Sequence, residues 1–225
     1  MISAGGLPFT RAEARPMESS AATIEVAKPK LFTAGAVAAV NAYGALLVVP
    51  FLVSVLVVSV TKFGLVTVLI PLLVVAATAY FLPFGLGNTH ITRLVQSLNP
   101  AAAQSGEGFI VQLTLSPRLR SGLRALLEDA DDIGYLTFSG NELLFKGDSV
   151  KLSVPLDHIE RVRPQNIGLR GLFVYGRRIK VVVSGLPQIE SVEFAERSSW
   201  LLPTSRAITR RLHQRLSTRV PGKVN

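Results

Sequence analysis

Arginine supplies most of the binding chemistry in this chain of 225 residues, whose formal net charge is +9. Arg118, Arg120 and Arg124 form one cluster, and Arg170, Arg177 and Arg178 form a second. A guanidinium is planar, always charged and presents a fixed fork of N–H donors, so clustered arginines suit carboxylate or phosphate groups. These six residues are the candidate contacts for anionic lipid headgroups or for a protein partner. Carboxylates offer a second constellation, Asp129-Ala130-Asp131-Asp132-Ile133-Gly134. A calcium loop that opened this way would need an oxygen ligand at its fifth position and a bidentate Glu at its twelfth. Those positions hold Ile133 and Gly140, so the acids are expected to pair with arginines or to hold a turn.

Other site chemistries find no support. The chain has no cysteine, which removes thiol nucleophiles, disulfides and thiolate metal sites. His90, His158 and His213 are scattered, and no paired-carboxylate spacing, HExxH or phosphate-cradling glycine loop is present. Gly85-Leu86-Gly87 lacks a third glycine. No enzyme activity, cofactor or metal is therefore expected.

The elements that must position the arginines divide sharply by composition. Hydrophobic residues make up 48% of the chain, and between residues 31 and 87 the one charged side chain is Lys62. Residues 1–27 are expected to be a disordered tail, rich in Ala, Ser and Gly. Residues 28–87 are expected to form a two-helix transmembrane hairpin with spans at 31–60 and 65–86, broken at Thr61-Lys62-Phe63-Gly64. Small residues early in the first span (Ala34, Gly35, Ala38, Ala39) and late in the second (Ala76, Ala77, Ala79) would lie at matching depth and allow close packing. Arg15, Lys28, Lys30 and Arg93 flank the spans, which predicts the inner (cytoplasmic) membrane with both termini cytoplasmic.

A linker is expected over 88–107, followed by a water-soluble domain at 108–216 and a short tail at 217–225. From residue 101 onward the chain carries 18 Lys+Arg against 12 Asp+Glu, and no acid follows Glu196. Hydrophobicity there alternates with period two, predicting strands at 109–115, 135–138, 142–145, 150–155, 159–162, 172–175, 179–183 and 191–194. Ser116-Pro117 looks like the start of a helix, and a second helix is expected over 203–216, with Arg206/Arg210 and Arg211/Arg215 on its polar side.

Gly134-Tyr-Leu-Thr-Phe-Ser-Gly-Asn-Glu-Leu-Leu-Phe-Lys-Gly-Asp, followed by Leu152-Ser-Val-Pro-Leu-Asp-His-Ile-Glu-Arg-Val, resembles the opening of a GRAM or bacterial PH-like domain. The resemblance covers about residues 108–216. It implies a pleckstrin-homology superfold, mainly β with about seven strands and a C-terminal helix. The fold class expected is thus a transmembrane α-hairpin plus a mainly β, PH-like soluble domain. The expected function is a membrane-anchored adaptor or regulatory protein presenting that module at the cytoplasmic face. The alternative is a structural or pore-forming membrane oligomer that the soluble domain regulates. Expected partners are the lipid bilayer, then anionic headgroups, a protein or further copies of the chain. Nucleic acid would answer to the same basic charge, but a membrane already accounts for it.

Overall fold

Alternation of apolar and polar residues builds the central element, an antiparallel sheet. In Val150-Lys-Leu-Ser-Val-Pro, for example, Val150, Leu152 and Val154 are buried while Lys151 is exposed. The computed structural model describes residues 21–45, 49–61, 64–81, 85–98, 108–119, 130–165, 177–220 and 222. Its strands are β1 (Thr23–Val26), β2 (Phe109–Ser116), β3 (Asp132–Ser139), β4 (Glu142–Gly147), β5 (Val150–Pro155), β6 (Ile159–Gln165), β7 (Arg178–Val183) and β8 (Ser191–Glu196). Its helices are α1 (Ala34–Ala45), α2 (Val49–Thr61), α3 (Val66–Phe81), α4 (Gly85–Leu98) and α5 (Leu202–Arg219).

All eight strands join one curled sheet in the order β1-β5-β4-β3-β2-β8-β7-β6. Two meanders, β2 to β5 and β6 to β8, meet where β2 pairs with β8, as in Leu113 opposite Phe194. The inner face carries the main core: Val111, Leu113 and Leu115 of β2, Phe145 of β4, Val181 of β7 and Phe194 of β8. Phe145 and Phe194 pack at 6.3 Å between ring centroids, tilted by 42°. Each such ring removes a large apolar area from water, on the order of 2–3 kcal/mol of favourable transfer. Helix α5 contributes Leu212, Leu216 and, just past its end, Val220 to the same core. A smaller cluster lies on the outer face, where Ile91 and Val95 of α4 and Phe32 pack against Ile133 and Tyr135 of β3.

The N-terminal half differs from expectation. Over the first expected span the described residues form α1, of 12 residues, and α2, of 13, with residues 46–48 outside the description. The second apolar run contains α3, of 16 residues. At 1.5 Å per residue α3 reaches about 24 Å, short of a hydrocarbon core of about 30 Å. Among the described residues no helix is long and apolar enough to cross a membrane. This overturns the transmembrane hairpin, and with it the inner-membrane location with cytoplasmic termini. Hydropathy measured the length of each apolar run rather than the length of any helix within it. Packing differs too, since α1 lies against α4 and α2 against α3. Leu52, Leu56 and Val60 of α2, and Ile70 and Leu73 of α3, remain exposed.

Within the expected tail, Thr23–Val26 forms β1, paired antiparallel with β5 from Thr23 opposite Ser153 to Val26 opposite Val150. Ser116 closes β2 rather than capping a helix, and residues 120–129 lie outside the described residues. So does the strand expected at 172–175.

Two glycines set how closely β3 and β4 approach. Gly134 faces Gly147 across the pair. A Cβ on Gly134 would press into the backbone of Lys146 and Gly147, and one on Gly147 would collide with the Asp132 carboxylate. Gly147→Ala should therefore cost about 3 kcal/mol or more in chemical denaturation, as overpacking does. Gly35→Ala in α1, where the nearest atom is Thr33 Oγ1 at 3.8 Å, should be neutral or slightly stabilising in the same experiment.

Candidate functional site: an arginine-lined groove

The last three turns of α5 bring one face of the helix to the tip of the β3–β4 hairpin. Arg211, Arg215 and Arg219 stand at four-residue spacing, so they follow one another along that face at steps of about 6 Å. Their opposite wall is Thr137 and Phe138 of β3, and Gln214 and Thr218 complete a groove of 610 Å³. Among the described residues its lining holds three guanidinium groups and no carboxylate.

Two of the arginines are set in place by aromatic rings. The Arg215 guanidinium lies 5.3 Å from the centroid of Phe109, and that of Arg219 lies 5.0 Å from the centroid of Phe138. Arg219 Nη1 also donates to the carbonyl of Gly140 at 3.0 Å. Stacking uses the face of a guanidinium and so fixes its plane against the ring. Arg211 is exposed and has no hydrogen-bond or ion-pair partner among the described residues. Both rings pack against the main core, so the fold itself anchors the cationic wall.

Of the six arginines nominated from sequence, the three that are described do not line this groove. Arg118 follows β2, and Arg177 is exposed just before β7. Arg120, Arg124 and Arg170 lie outside the described residues. Arg178 is 2% exposed, its Nη1 donating to Thr114 Oγ1 at 3.3 Å and facing Glu193 Oε2 at 3.5 Å. Its role is to tie β7 to β2 and β8. The groove arginines were visible only as the polar side of a helix, because nothing in the sequence links position 137 to position 215.

Another arginine works inside the fold. Arg197, 5% exposed, donates from Nε and Nη2 to Gln112 Oε1 at 2.8 and 2.6 Å, and from Nη1 to Asn88 Oδ1 at 3.4 Å. Asn88 in turn donates to the Ser199 carbonyl at 2.6 Å. This network fastens α4 to β2 and to the segment after β8.

The carboxylates accept backbone N–H groups. Asp131 Oδ2 accepts from Leu115 N at 2.8 Å, and Asp132 Oδ2 accepts from Ser149 N and Val150 N at 2.8 and 2.6 Å. Asp148 Oδ2 accepts three successive backbone N–H groups, those of Lys30, Leu31 and Phe32, each at 2.8 Å. Among the described residues no group of three acids or histidines is placed to hold a metal ion, and Asp129 lies outside them. His90 is in α4, His158 ends a short 3-10 turn and His213 is in α5.

Burial pushes the Asp132 carboxyl up to about 6, and the charge of Asp148 adds to the rise, while the N–H groups of Ser149, Val150 and Ile133 oppose it. Comparison of the chain with protein-family models and with curated proteins yields no match.

The pH dependence follows from the raised carboxyl. Its folded value of about 6 stands above the reference of 3.8, so the folded chain holds this proton more tightly than the unfolded one. Its contribution to stability is full below pH 3.8 and is lost as pH rises through about 6. The difference amounts to about 3 kcal/mol. Asp132→Asn keeps an acceptor for the two N–H groups and removes the charge. In denaturation measured from pH 4 to pH 7, the variant should lack that component of the slope; an unchanged slope would refute the assignment.

Proposed function

We propose that this chain is a non-catalytic binding module that engages an anionic partner through the groove between α5 and β3. The observation that carries the reading is the groove's lining among the described residues: three arginines, two of them stacked on aromatic rings, and no carboxylate. The sign of the rest of the chain agrees, since no acid follows Glu196 and the net charge is +9. Long-range attraction of that sign speeds encounter with an acidic partner.

The curled antiparallel sheet, with the C-terminal helix packed on its core, is the scaffold on which the groove is built. Such a module acts by presenting a surface, so it needs no nucleophile or acid–base pair.

The test uses the full-length chain and fluorescently labelled polyglutamate. Binding should be measurable at low salt and weaken as salt screens the groove. Arg211→Glu/Gln214→Glu offsets the two remaining arginines with two acids, at side chains that carry no hydrogen bond to the rest of the described fold. It should weaken binding by about tenfold or more, equivalent to about 1.4 kcal/mol. Arg177→Glu, outside the groove, should change it little. Equal binding by the groove variant and the wild type would overturn the reading.

A further inference from the structure

We infer that the exposed apolar face of the α2–α3 hairpin is a dimerisation surface, occupied by the same hairpin of a second copy of this chain. The inference stands apart from the groove and its ligand. In α2 the exposed side chains are Val49, Leu52, Val53, Leu56, Ser59 and Val60, with Val55 beside them. In α3 they include Val66, Leu69, Ile70, Leu73, Ala76 and Ala77. Both runs keep the spacing i, i+3, i+4, i+7, i+10, i+11, so each helix exposes one stripe along its length. That spacing is the one at which the side chains of a facing helix interlock, so the stripes suit a partner that is itself helical.

Both stripes can be buried without losing a hydrogen bond to water. The described side chains of α3 are all apolar, and the one polar group in the α2 stripe, the Ser59 hydroxyl, donates to the Val55 carbonyl at 2.8 Å. Area sets the kind of partner. Thirteen large apolar side chains between Val49 and Val74 are 38% to 75% exposed. At roughly 100 Å² apiece they present on the order of 1,000 Å² of surface. The largest apolar patch on an ordinary monomer is about 300–600 Å², whereas each side of a stable dimer buries about 800 Å².

Charge selects a second copy. Two copies of a chain with net charge +9 repel one another, yet between residues 31 and 87 the one charged side chain is Lys62. The hairpin is therefore where two copies meet with least repulsion. An interface this apolar is characteristic of homodimers, in which one patch must match itself. An acidic partner would find no cation on either stripe to pair with. Helices that lie on a bilayer surface carry Lys or Arg along a polar face, and α2 and α3 contain neither.

The experiment is sedimentation velocity of the full-length chain, without detergent, over a range of protein and salt concentrations. It should show a discrete dimer that tightens as salt rises, because salt screens the repulsion between copies. Leu56→Glu/Leu73→Glu should weaken the dimer about a hundredfold or more. Leu56→Ala/Leu73→Ala, which keeps good helix formers and trims the same side chains, should weaken it about tenfold. Leu56 and Leu73 are 65% and 67% exposed in the single chain, so thermal unfolding of the monomer should be unchanged in the alanine variant. Arg211→Glu/Gln214→Glu should leave the dimer intact. A monomer at every concentration, assemblies with no defined dimer, a dimer weakened by salt, or one that neither leucine variant weakens would overturn the inference. So would a chain that stays monomeric alone and floats with neutral lipid vesicles, which would assign the surface to lipid.

Discussion

Strand β2 hydrogen-bonds to β3 along one edge and to β8 along the other, and this double pairing makes one sheet out of two meanders. Its inner face puts Val111, Leu113 and Leu115 at the centre of the core, each at most 1% exposed. The groove depends on the same pairing. Phe109 opens β2, Phe138 lies in β3, and α5 begins six residues after β8 ends. The ring stacking of Arg215 and Arg219 therefore expresses how three neighbouring strands are ordered, rather than a property of the helix alone.

Polar groups in the interior mostly hold segments in place. Arg197, Gln112 and Asn88 join α4 to the sheet without a carboxylate in the hydrogen bonds they make with one another. Asp132 and Asp148 instead hold backbone N–H groups of turns and of the chain entering α1. A buried carboxylate is costly unless its oxygens are bonded. Gly147 supports that bonding, because any side chain there would occupy the space of the Asp132 oxygen.

Local chemistry was legible where period and turn residues agreed. Strands expected at 135–138, 142–145, 150–155, 159–162, 179–183 and 191–194 fall within β3 to β8, and the helix expected at 203–216 lies within α5. Alternating residues such as Val150, Leu152 and Val154 name their buried face without outside information. The apolar half was misread because its composition is almost uniform: a run without polar punctuation does not show where one helix stops or which neighbour it meets. Strand β1 was missed for the opposite reason. Thr23-Ile-Glu-Val is only four residues long, and its partner lies more than a hundred residues away. The groove shares that difficulty, since a site made of positions 137 and 211–219 exists only after the sheet has closed.

Strand β1 also has a consequence in time. Thr23 pairs with Ser153, and its following segment is held by Asp148, so the strand leaves the ribosome well before either partner exists. At about 5–20 residues per second, the wait is roughly 6 to 26 s. Throughout that interval β1 has no strand to pair with, because β5 is its one neighbour among the described strands of the sheet. A segment made early thus takes its place only once chain made more than a hundred residues later is there to receive it.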